Sequence, residues 1–126
     1  MLTSLVGSEM CIRDSYFSER IQAAKAHKIN DLIIDLGFGF AKTLDQNYTL
    51  LNQMDYFKNL NCPILTGISR KSMVYKVLES TASEALNGTT SLNMTALMSG
   101  SKILRVHDVK EALECVKLYN ALTKAS

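Results

Sequence analysis

The sequence predicts an α/β fold built on a parallel sheet, and two patterns carry that prediction. Short apolar runs alternate along the chain with stretches whose apolar residues recur every three to four positions, as in amphipathic helices. The apolar runs also lack polar alternation, which is typical of parallel strands that are covered on both faces or closed into a barrel. At 126 residues the chain is long enough for one domain at most. We therefore expect three parallel strands with flanking helices, in the order α-β-α-β-α-α-β-α.

The first fifteen residues, MLTSLVGSEMCIRDS, follow neither pattern. Their apolar residues are interrupted by polar ones, and the segment lacks the basic start of a signal peptide. We interpret residues 1–15 as an unstructured or non-native leader that makes no core contacts. The folded domain is then predicted to comprise residues 16–126.

The first helix is predicted from the helical spacing of Phe17, Ile21 and Ala24. The buried run DLIID (Asp31–Asp35) predicts the first strand, and PILTG (Pro63–Gly67) predicts the second, with its proline at a position where a missing N–H is tolerated. Between these strands, a second amphipathic helix is indicated by an apolar stripe at Leu50, Leu51, Met54 and Phe57.

The second half of the chain predicts two further helices, a strand and a last helix. A helix is expected to begin near Ser72, and Thr81–Glu84 matches a capping box before a long helix that ends ahead of Gly100. KILRV (Lys102–Val106) predicts the third strand, and Asp108 is predicted to cap the last helix, with a glutamate three residues later. The buried stripe of that helix is predicted at Val109, Leu113, Val116 and Tyr119.

The composition excludes several classes of protein. Fourteen Lys and Arg against twelve Asp and Glu give a net charge of +2, which argues against a strongly basic nucleic-acid binder. No apolar run approaches the roughly 18 residues that span a bilayer, so no membrane association is expected. Cys11, Cys62 and Cys115 are widely spaced and form no CxxC pair, which indicates neither a disulfide scaffold nor a zinc site. A reducing, cytoplasmic location is the simplest interpretation.

Polar side chains follow each of the three predicted strands. Asp35 ends the first, Arg70 and Lys71 follow the second, and Arg105 and His107 close the third. Each has an ordinary structural explanation: a turn-capping aspartate, a solvated pair of basic residues, and a histidine that bonds locally at a helix start. Because ligands of parallel α/β folds bind at the carboxyl ends of the strands, their coincidence at three successive ends favours one shared site.

The residue types indicate what this site would bind. A carboxylate such as Asp35 accepts two parallel N–H bonds from the edge of a 2-amino-4-oxo heterocycle, and Lys71 can donate to a ring carbonyl. The guanidinium of Arg105 can stack on a flat ring while its edge meets an anion. His107 and the helix start at Ser72 can hold phosphate or carboxylate oxygens. The predicted ligand class is a planar heterocycle that carries a phosphate.

Three segments carry a resemblance to a known family: IIDLGFGFAK (Ile33–Lys42), PILTGISRKSM (Pro63–Met73) and ILRVHDVKEA (Ile103–Ala112). Together they resemble the dihydropteroate synthases of folate biosynthesis, and the resemblance extends from Tyr16 to about Leu122. It implies a (β/α)8 TIM barrel, which typically needs about 250 residues. The chain looks like the C-terminal half of such a barrel, with strands 6, 7 and 8.

The resemblance also implies an activity. Enzymes of this family join p-aminobenzoate to 6-hydroxymethyl-7,8-dihydropterin pyrophosphate and release pyrophosphate with Mg2+; sulfonamides compete for the p-aminobenzoate pocket. It implies that the Mg2+ ligand lies in the N-terminal half, so that this fragment holds no metal and is inactive alone. The full-length parent is expected to be a cytoplasmic homodimer with small-molecule substrates and neither nucleic-acid nor membrane partners.

Site residues are carried over from the matching motifs. The resemblance assigns the pterin to Asp35, Lys71 and Arg105, and the pyrophosphate to Arg105, Val106 and His107. No residue is expected to form a covalent intermediate.

The p-aminobenzoate pocket is carried over to Phe40, Arg70 and Ser72. One departure from the family pattern is Leu36, which stands where a proline usually follows the strand-6 aspartate. A non-catalytic pterin-binding domain of the corrinoid-dependent methyltransferase type is the alternative, and an unrelated phosphate-binding α/β protein is a third. The intact SRKS motif at Ser69–Ser72 favours the synthase, because it serves the p-aminobenzoate side.

Overall fold

The computed structural model describes residues 2–40 and 42–125, with side chains from residue 13 onward. The elements follow the predicted order. The strands are β1 (Ile34–Asp35), β2 (Ile64–Thr66) and β3 (Ser101–Leu104). The helices are α1 (Leu2–Ala26), α2 (Leu44–Asn52), α3 (Ser72–Tyr75), α4 (Leu86–Met98) and α5 (Val109–Lys124). Two 3-10 helices are added, at Met54–Leu60 and Ala82–Glu84.

Helix α1 contradicts the prediction of an unstructured leader. The backbone of residues 2–15 belongs to the same continuous helix as Phe17 and Ile21, which pack against the core. Once that packed turn exists, each further residue adds one hydrogen bond, and a single interior glycine such as Gly7 costs only about 1 kcal/mol. Met1 and the side chains of residues 2–12 lie outside the described part of the chain. The non-native origin of this segment and its poor packing therefore stay predictions.

The three strands form one parallel sheet in the order β1-β2-β3. Ile34 pairs with Ile64 and Asp35 with Leu65, while Thr66 pairs with Leu104. The register between β2 and β3 shifts by one residue near Ile64, and this irregularity is absorbed in β3. The parallel arrangement confirms the expectation drawn from the apolar runs, and it brings the carboxyl ends of all three strands to one edge.

Strand β1 is shorter than the predicted Asp31–Asp35. Its ladder begins where the Ile34 N–H donates to the Pro63 carbonyl oxygen at 2.9 Å. The next bond upstream in a parallel ladder would need an N–H from Pro63, which has none, so pairing stops there. Strands β2 and β3 also end before their predicted limits, although the Arg105 N–H still donates to the Thr66 carbonyl oxygen at 3.0 Å.

The core lies between the sheet and the helices. Its fully buried side chains come from both layers and include Phe38, Met54, Phe57, Ile68 and Met73. Two hydroxyls are buried with them, and the Thr66 Oγ1 to Ser101 Oγ distance of 2.8 Å shows that they pair with each other. Leu36 is also buried, and an apolar side chain suits a buried position.

Helix starts differ from the predictions in two places. The stripe that predicted one helix over residues 50–57 is divided between α2 and a 3-10 helix. A capping box is present at Thr43, whose Oγ1 accepts the Gln46 N–H at 3.1 Å while its own N–H donates to Gln46 Oε1 at 2.9 Å. The predicted capping box at Thr81–Glu84 is wrong, because Thr81 Oγ1 instead lies 3.0 Å from Ser83 Oγ and caps nothing.

The predicted buried stripe of α5 is wrong at two of its four positions. Val109 and Leu113 are exposed, at 69% and 51%, whereas Val116 and Tyr119 are half-buried. The buried residues of this helix are Ala112 and Cys115. Small side chains face α4 because the two helices pack closely together. Val109 and Leu113 instead line an open cleft of about 760 Å³ beside β3.

Two expectations from composition are also addressed by the structure. Within the described residues, no helix combines the length and apolarity needed to cross a bilayer. Cys62 and Cys115 are free thiols, and burial raises the pKa of the Cys115 thiol. The side chain of Cys11 lies outside the described part of the chain.

Candidate functional site

Asp35 and Arg105 meet at the carboxyl edge of the sheet. Asp35 ends β1 and Arg105 follows β3, so the strand β2 separates them along the sheet. Arg105 Nη1 donates to Asp35 Oδ2 at 3.2 Å, while Asp35 Oδ1 accepts the Gly37 N–H at 2.9 Å. Both side chains are about half exposed, at 41% for Asp35 and 53% for Arg105. The two groups are therefore held together yet open to a ligand.

Gly67 provides the space in which Arg105 lies. It follows β2 directly and is buried. A Cβ atom at this position would come within 2.9 Å of Arg105 Cζ and 3.1 Å of Arg105 Nε. The first distance is shorter than real Cβ contacts, and the second is tighter than nine in ten of them. The guanidinium thus lies against the backbone at Gly67, beside Asp35.

Lys71 approaches the same edge from the loop after β2. Its Nζ donates to the Phe38 carbonyl oxygen at 2.5 Å and lies 5.7 Å from the centre of the Phe40 ring. Burial lowers the pKa of Lys71, the positive charge of Arg105 lowers it further, and the charge of Asp35 acts in the opposite direction. The structure thus brings the three predicted pterin-binding side chains into one electrostatic cluster.

The loop after β1 is held by several side chains. Gly39 donates its N–H to Asn47 Oδ1 at 2.9 Å, and Lys42 Nζ donates to the Gly37 carbonyl oxygen at 2.6 Å. Gly37 and Gly39 adopt φ values of +71° and +90°, where side chains are rarely accommodated. Sequence reasoning missed Asn47, although a polar residue on the core side of α2 was a usable signal.

The guanidinium of Arg70 is bound to other parts of the chain and is not free to bind a ligand. Its Nε and Nη2 donate to Asp108 Oδ2 and Oδ1 at 2.9 and 3.0 Å. Its Nη1 donates to the carbonyl oxygens of Ala82 and Ser83 at 2.8 and 2.9 Å. All three guanidinium nitrogens are therefore engaged. Asp108 consequently does not cap α5 with its side chain, contrary to the prediction, because a charged bidentate partner outcompetes a local N–H.

His107 lies at the same end of the strands but is held by Ser69 rather than by the Asp35 cluster. Its Nδ1 is 2.8 Å from Ser69 Oγ. Val106 is half-buried and lines the cleft beside β3 instead of the polar edge. Ser72 begins α3, which has only four residues, so this helix supplies little dipole for an anion.

A cleft of about 500 Å³ opens over this edge. Its lining includes Phe40, Arg70, Lys71, Ser72, Tyr75 and Arg105. The cleft beside β3 is larger, at about 760 Å³, but none of the charged cluster lines it. We therefore place the candidate site at the smaller cleft. Its lining combines aromatic rings with convergent cationic groups, which suits a flat anionic ligand.

The acidic and histidine side chains do not form a metal centre in the described residues. No group of three or more His, Cys, Asp or Glu side chains there is arranged to hold an ion.

The Arg70–Asp108 pair predicts a pH-dependent contribution to stability. The hydrogen bond from Arg70 lowers the pKa of the Asp108 carboxyl below its ordinary value of 3.8. Below that ordinary value the unfolded chain binds a proton more readily than the folded chain. The contribution is therefore full above pH 3.8 and is lost as the pH falls through the lowered pKa.

The measurement is urea unfolding of the wild type and Asp108→Asn. We expect a wild-type advantage at neutral pH that disappears at a pH well below the lowered pKa. Asp55→Asn, at an exposed position of the first 3-10 helix, controls for loss of a negative charge. An advantage that persists undiminished in acid would contradict the assignment.

Comparison with known proteins defines the class. The model of the family described as "Pterin binding enzyme" matches residues 11–107. The chain therefore belongs to the pterin-binding enzymes.

Within this class, similar proteins include dihydropteroate synthases. The chain is 41% identical to the Escherichia coli dihydropteroate synthase over 112 residues, which cover 87% of the chain and 40% of that protein. It is 34% identical to the bifunctional dihydropteroate synthase/dihydropteroate reductase of Helicobacter pylori, covering 86% of the chain and 29% of that protein.

Solved structures of dihydropteroate synthases also align with the chain. The Yersinia pestis dihydropteroate synthase with a pterin–sulfa conjugate aligns with a TM-score of 0.88 at 33% identity, covering 96% of the chain and 48% of that structure. The Coxiella burnetii enzyme in complex with pteroic acid aligns with a TM-score of 0.89 at 31% identity, covering 96% and 46%. The chain thus spans less than half of each of these proteins.

Proposed function

We propose that the chain is the C-terminal half of a (β/α)8 dihydropteroate synthase and supplies much of its substrate pocket. The observation that carries the proposal is the cluster of Asp35, Lys71 and Arg105 at the carboxyl edge of three parallel strands. This edge is where barrels of this type place their active sites. The family match and the identity to the synthases above support the same reading.

In the proposed complex Asp35 accepts the amino and ring N–H groups of the pterin, and Lys71 donates to the pterin carbonyl and ring nitrogen. Asp35 must then exchange its contact with Arg105 for the ligand. That exchange costs little free energy, because ion pairs between exposed side chains contribute only about 0–1 kcal/mol to stability. The released guanidinium of Arg105 stacks on the pterin ring and extends toward the pyrophosphate.

The remaining carried-over residues surround the other substrate groups. His107 contributes to the pyrophosphate site, whereas Val106 lines the cleft beside β3 and supplies no side chain to it. Phe40 and Ser72 shape the p-aminobenzoate pocket, where sulfonamides compete. Phe40 is 70% exposed, as expected of a ring that a second substrate would cover. Arg70 contributes by bracing the loop that carries Lys71 and Ser72, since its guanidinium nitrogens are already paired.

The reaction proposed is displacement of pyrophosphate by an arylamine. The C–O bond to pyrophosphate breaks as positive charge develops on the exocyclic carbon of the pterin. The amino nitrogen of p-aminobenzoate then forms the new C–N bond and releases its proton to solvent water. Arg105 and His107 stabilise the negative charge that accumulates on the departing pyrophosphate, which is an electrostatic contribution. No covalent enzyme intermediate is required.

The proposal extends to features beyond the described residues. We place the Mg2+ ligand in the part of the synthase that the chain does not span. We also propose that the complete enzyme is a cytoplasmic homodimer.

A chimera tests the proposed function. Residues 16–126 replace the matching segment of the Escherichia coli synthase, and the product is assayed with p-aminobenzoate, the pterin pyrophosphate and Mg2+. We expect turnover, and we expect Lys71→Ala in the same chimera to abolish it. A folded chimera that binds the pterin but forms no dihydropteroate would instead support the methyltransferase-type alternative.

Gly67→Ala provides a sharper test of the pterin site. The added methyl group occupies the space of the Arg105 guanidinium and displaces it. Because a hydrogen bond to a charged group contributes about 1.5–3 kcal/mol, we expect pterin pyrophosphate to bind the chimera about 10- to 100-fold more weakly. Calorimetric titration measures the change.

The control is a double-mutant cycle with Arg105→Ala. If Gly67 acts through Arg105, then Gly67→Ala has little further effect on binding once the guanidinium has been removed. Additive losses in the double variant would show that the methyl group damages the site by another route.

A further inference from the structure

Ser69, the first residue of the SRKS motif, contacts His107 through its side chain. Ser69 is 5% exposed, whereas His107 is at the surface of the loop between β3 and α5. The Ser69 Oγ atom makes two contacts to the same residue. It accepts the backbone N–H of His107 at 3.1 Å and lies 2.8 Å from the ring atom Nδ1. The two residues are 38 positions apart, so only the fold brings them together.

The positions available to each proton show which atom donates and which accepts in these two contacts. A backbone N–H can only donate, so it takes one lone pair of Oγ. The hydroxyl then has one proton to place, and among the described residues its only partner with a free lone pair is Nδ1 of His107. If Nδ1 carried the ring proton, Oγ would accept twice and the hydroxyl proton of a buried serine would have no partner there. Buried donors of this kind are rare and costly.

We propose that Ser69 is a positioning residue that fixes His107 in the tautomer with its proton on Nε2. The hydroxyl donates to Nδ1, so the neutral ring presents Nε2–H on its opposite, exposed edge. His107 is then a hydrogen-bond donor without having to be protonated twice. This inference rests on the proposed function for one point only, that the acceptor of Nε2–H is a phosphoryl oxygen of pyrophosphate.

The tautomer has a chemical consequence for such a ligand. A phosphoryl oxygen accepts hydrogen bonds and repels a lone pair, so a ring with its bare nitrogen outward would oppose binding. In a free histidine both tautomers are populated. The buried hydroxyl of Ser69 removes that ambiguity before the ligand arrives. At the same time the His107 backbone N–H donates to Ser69 Oγ, which fixes the backbone that carries the ring.

Nitrogen NMR of the histidine rings tests the proposal directly. The chain contains only two histidines, and the second, His27, is exposed and serves as an internal reference. Spectra are recorded on the full ¹⁵N-labelled chain at about pH 8.5, where a free imidazole is neutral. We expect the Nδ1 shift of His107 to be that of an unprotonated nitrogen and the Nε2 shift that of a protonated one. Wild-type protein with the proton on Nδ1 would overturn the proposal, and this measurement needs no variant.

Two substitutions supply the matched comparison. Ser69→Ala should move both His107 shifts toward the averaged values of His27, and Ser69→Thr, which keeps the hydroxyl, should restore them. If Ser69→Ala leaves the shifts unchanged in folded protein, as judged by circular dichroism, the hydroxyl does not set the tautomer and the proposal fails.

Addition of inorganic pyrophosphate separates this inference from the proposed function. We expect it to shift Nε2 of His107 in the wild type and to bind Ser69→Ala about two- to tenfold more weakly. A correct tautomer with no response to pyrophosphate would contradict the assigned role of His107 in the synthase. It would leave the positioning of the ring by Ser69 confirmed.

Discussion

The purified 126-residue chain is expected to form no measurable dihydropteroate from p-aminobenzoate and the pterin pyrophosphate. The part of the chain that matches the Escherichia coli synthase covers only 40% of that protein. Removal of one preorganised electrostatic donor typically costs about 100- to 1000-fold in rate. The resemblance implies that several such groups belong to the part of the synthase that the chain does not span. Their losses together would place turnover below detection.

The assay needs Mg2+ and the intact Escherichia coli enzyme as a positive control. Turnover by the isolated chain that Lys71→Ala abolishes would contradict this prediction while supporting the proposed pocket. Turnover that survives Lys71→Ala would indicate a contaminating host enzyme. A chain that remains inactive until it is joined to the N-terminal part of a related synthase is the expected result.

Phe57→Ala is expected to lower the free energy of unfolding by about 3–5 kcal/mol. Phe57 is fully buried, and its ring lies edge-on to Phe17 and Tyr56 with centroid distances of 6.0 and 5.6 Å. The substitution removes an aromatic contact between α1 and the first 3-10 helix and leaves a cavity behind. Because domains of this kind are stable by only about 5–15 kcal/mol, the loss is a large share of the total.

Urea denaturation measures the loss, and Phe40→Ala is the matched control because it deletes the same atoms from a side chain that is 70% exposed. We expect the control to lose less than about 1 kcal/mol, most of it from the nearby Lys71 ammonium. Equal losses in the two variants would show that the Phe57 ring does not pack in the core as described.

The order of elements and the position of the polar edge followed from the sequence. Apolar runs without polar alternation are recognisable as parallel strands, and parallel strands necessarily place their carboxyl ends together. The sequence therefore predicted Asp35, Lys71 and Arg105 at one edge of the sheet. In the structure Arg105 pairs with Asp35, and the charges of both act on Lys71, while the binding roles of the three residues stay a prediction.

The leader and the face of α5 show where periodicity misled. Residues 2–15 have no helical stripe, yet their backbone continues α1, because a helix can extend from a packed turn without one. In α5 several of the larger apolar side chains are exposed, among them Val109 and Leu113 of the predicted stripe. An apolar stripe in the sequence shows which residues of a helix are apolar. Which side of the helix is buried depends on the elements that pack against it.

What the sequence by itself determined is thus the fold class, the order of strands and helices, and the residue types at each strand end. Only the tertiary structure decided the partner of each polar group. Asp108 pairs with Arg70 instead of capping its own helix, Gly67 makes room for Arg105, and Ser69 holds His107. The physical reason is that the partners of a polar group can lie far from it in the sequence. Hydrogen-bond donors and acceptors compete for partners across the whole fold, and a charged or buried partner 38 residues away prevails over a local one.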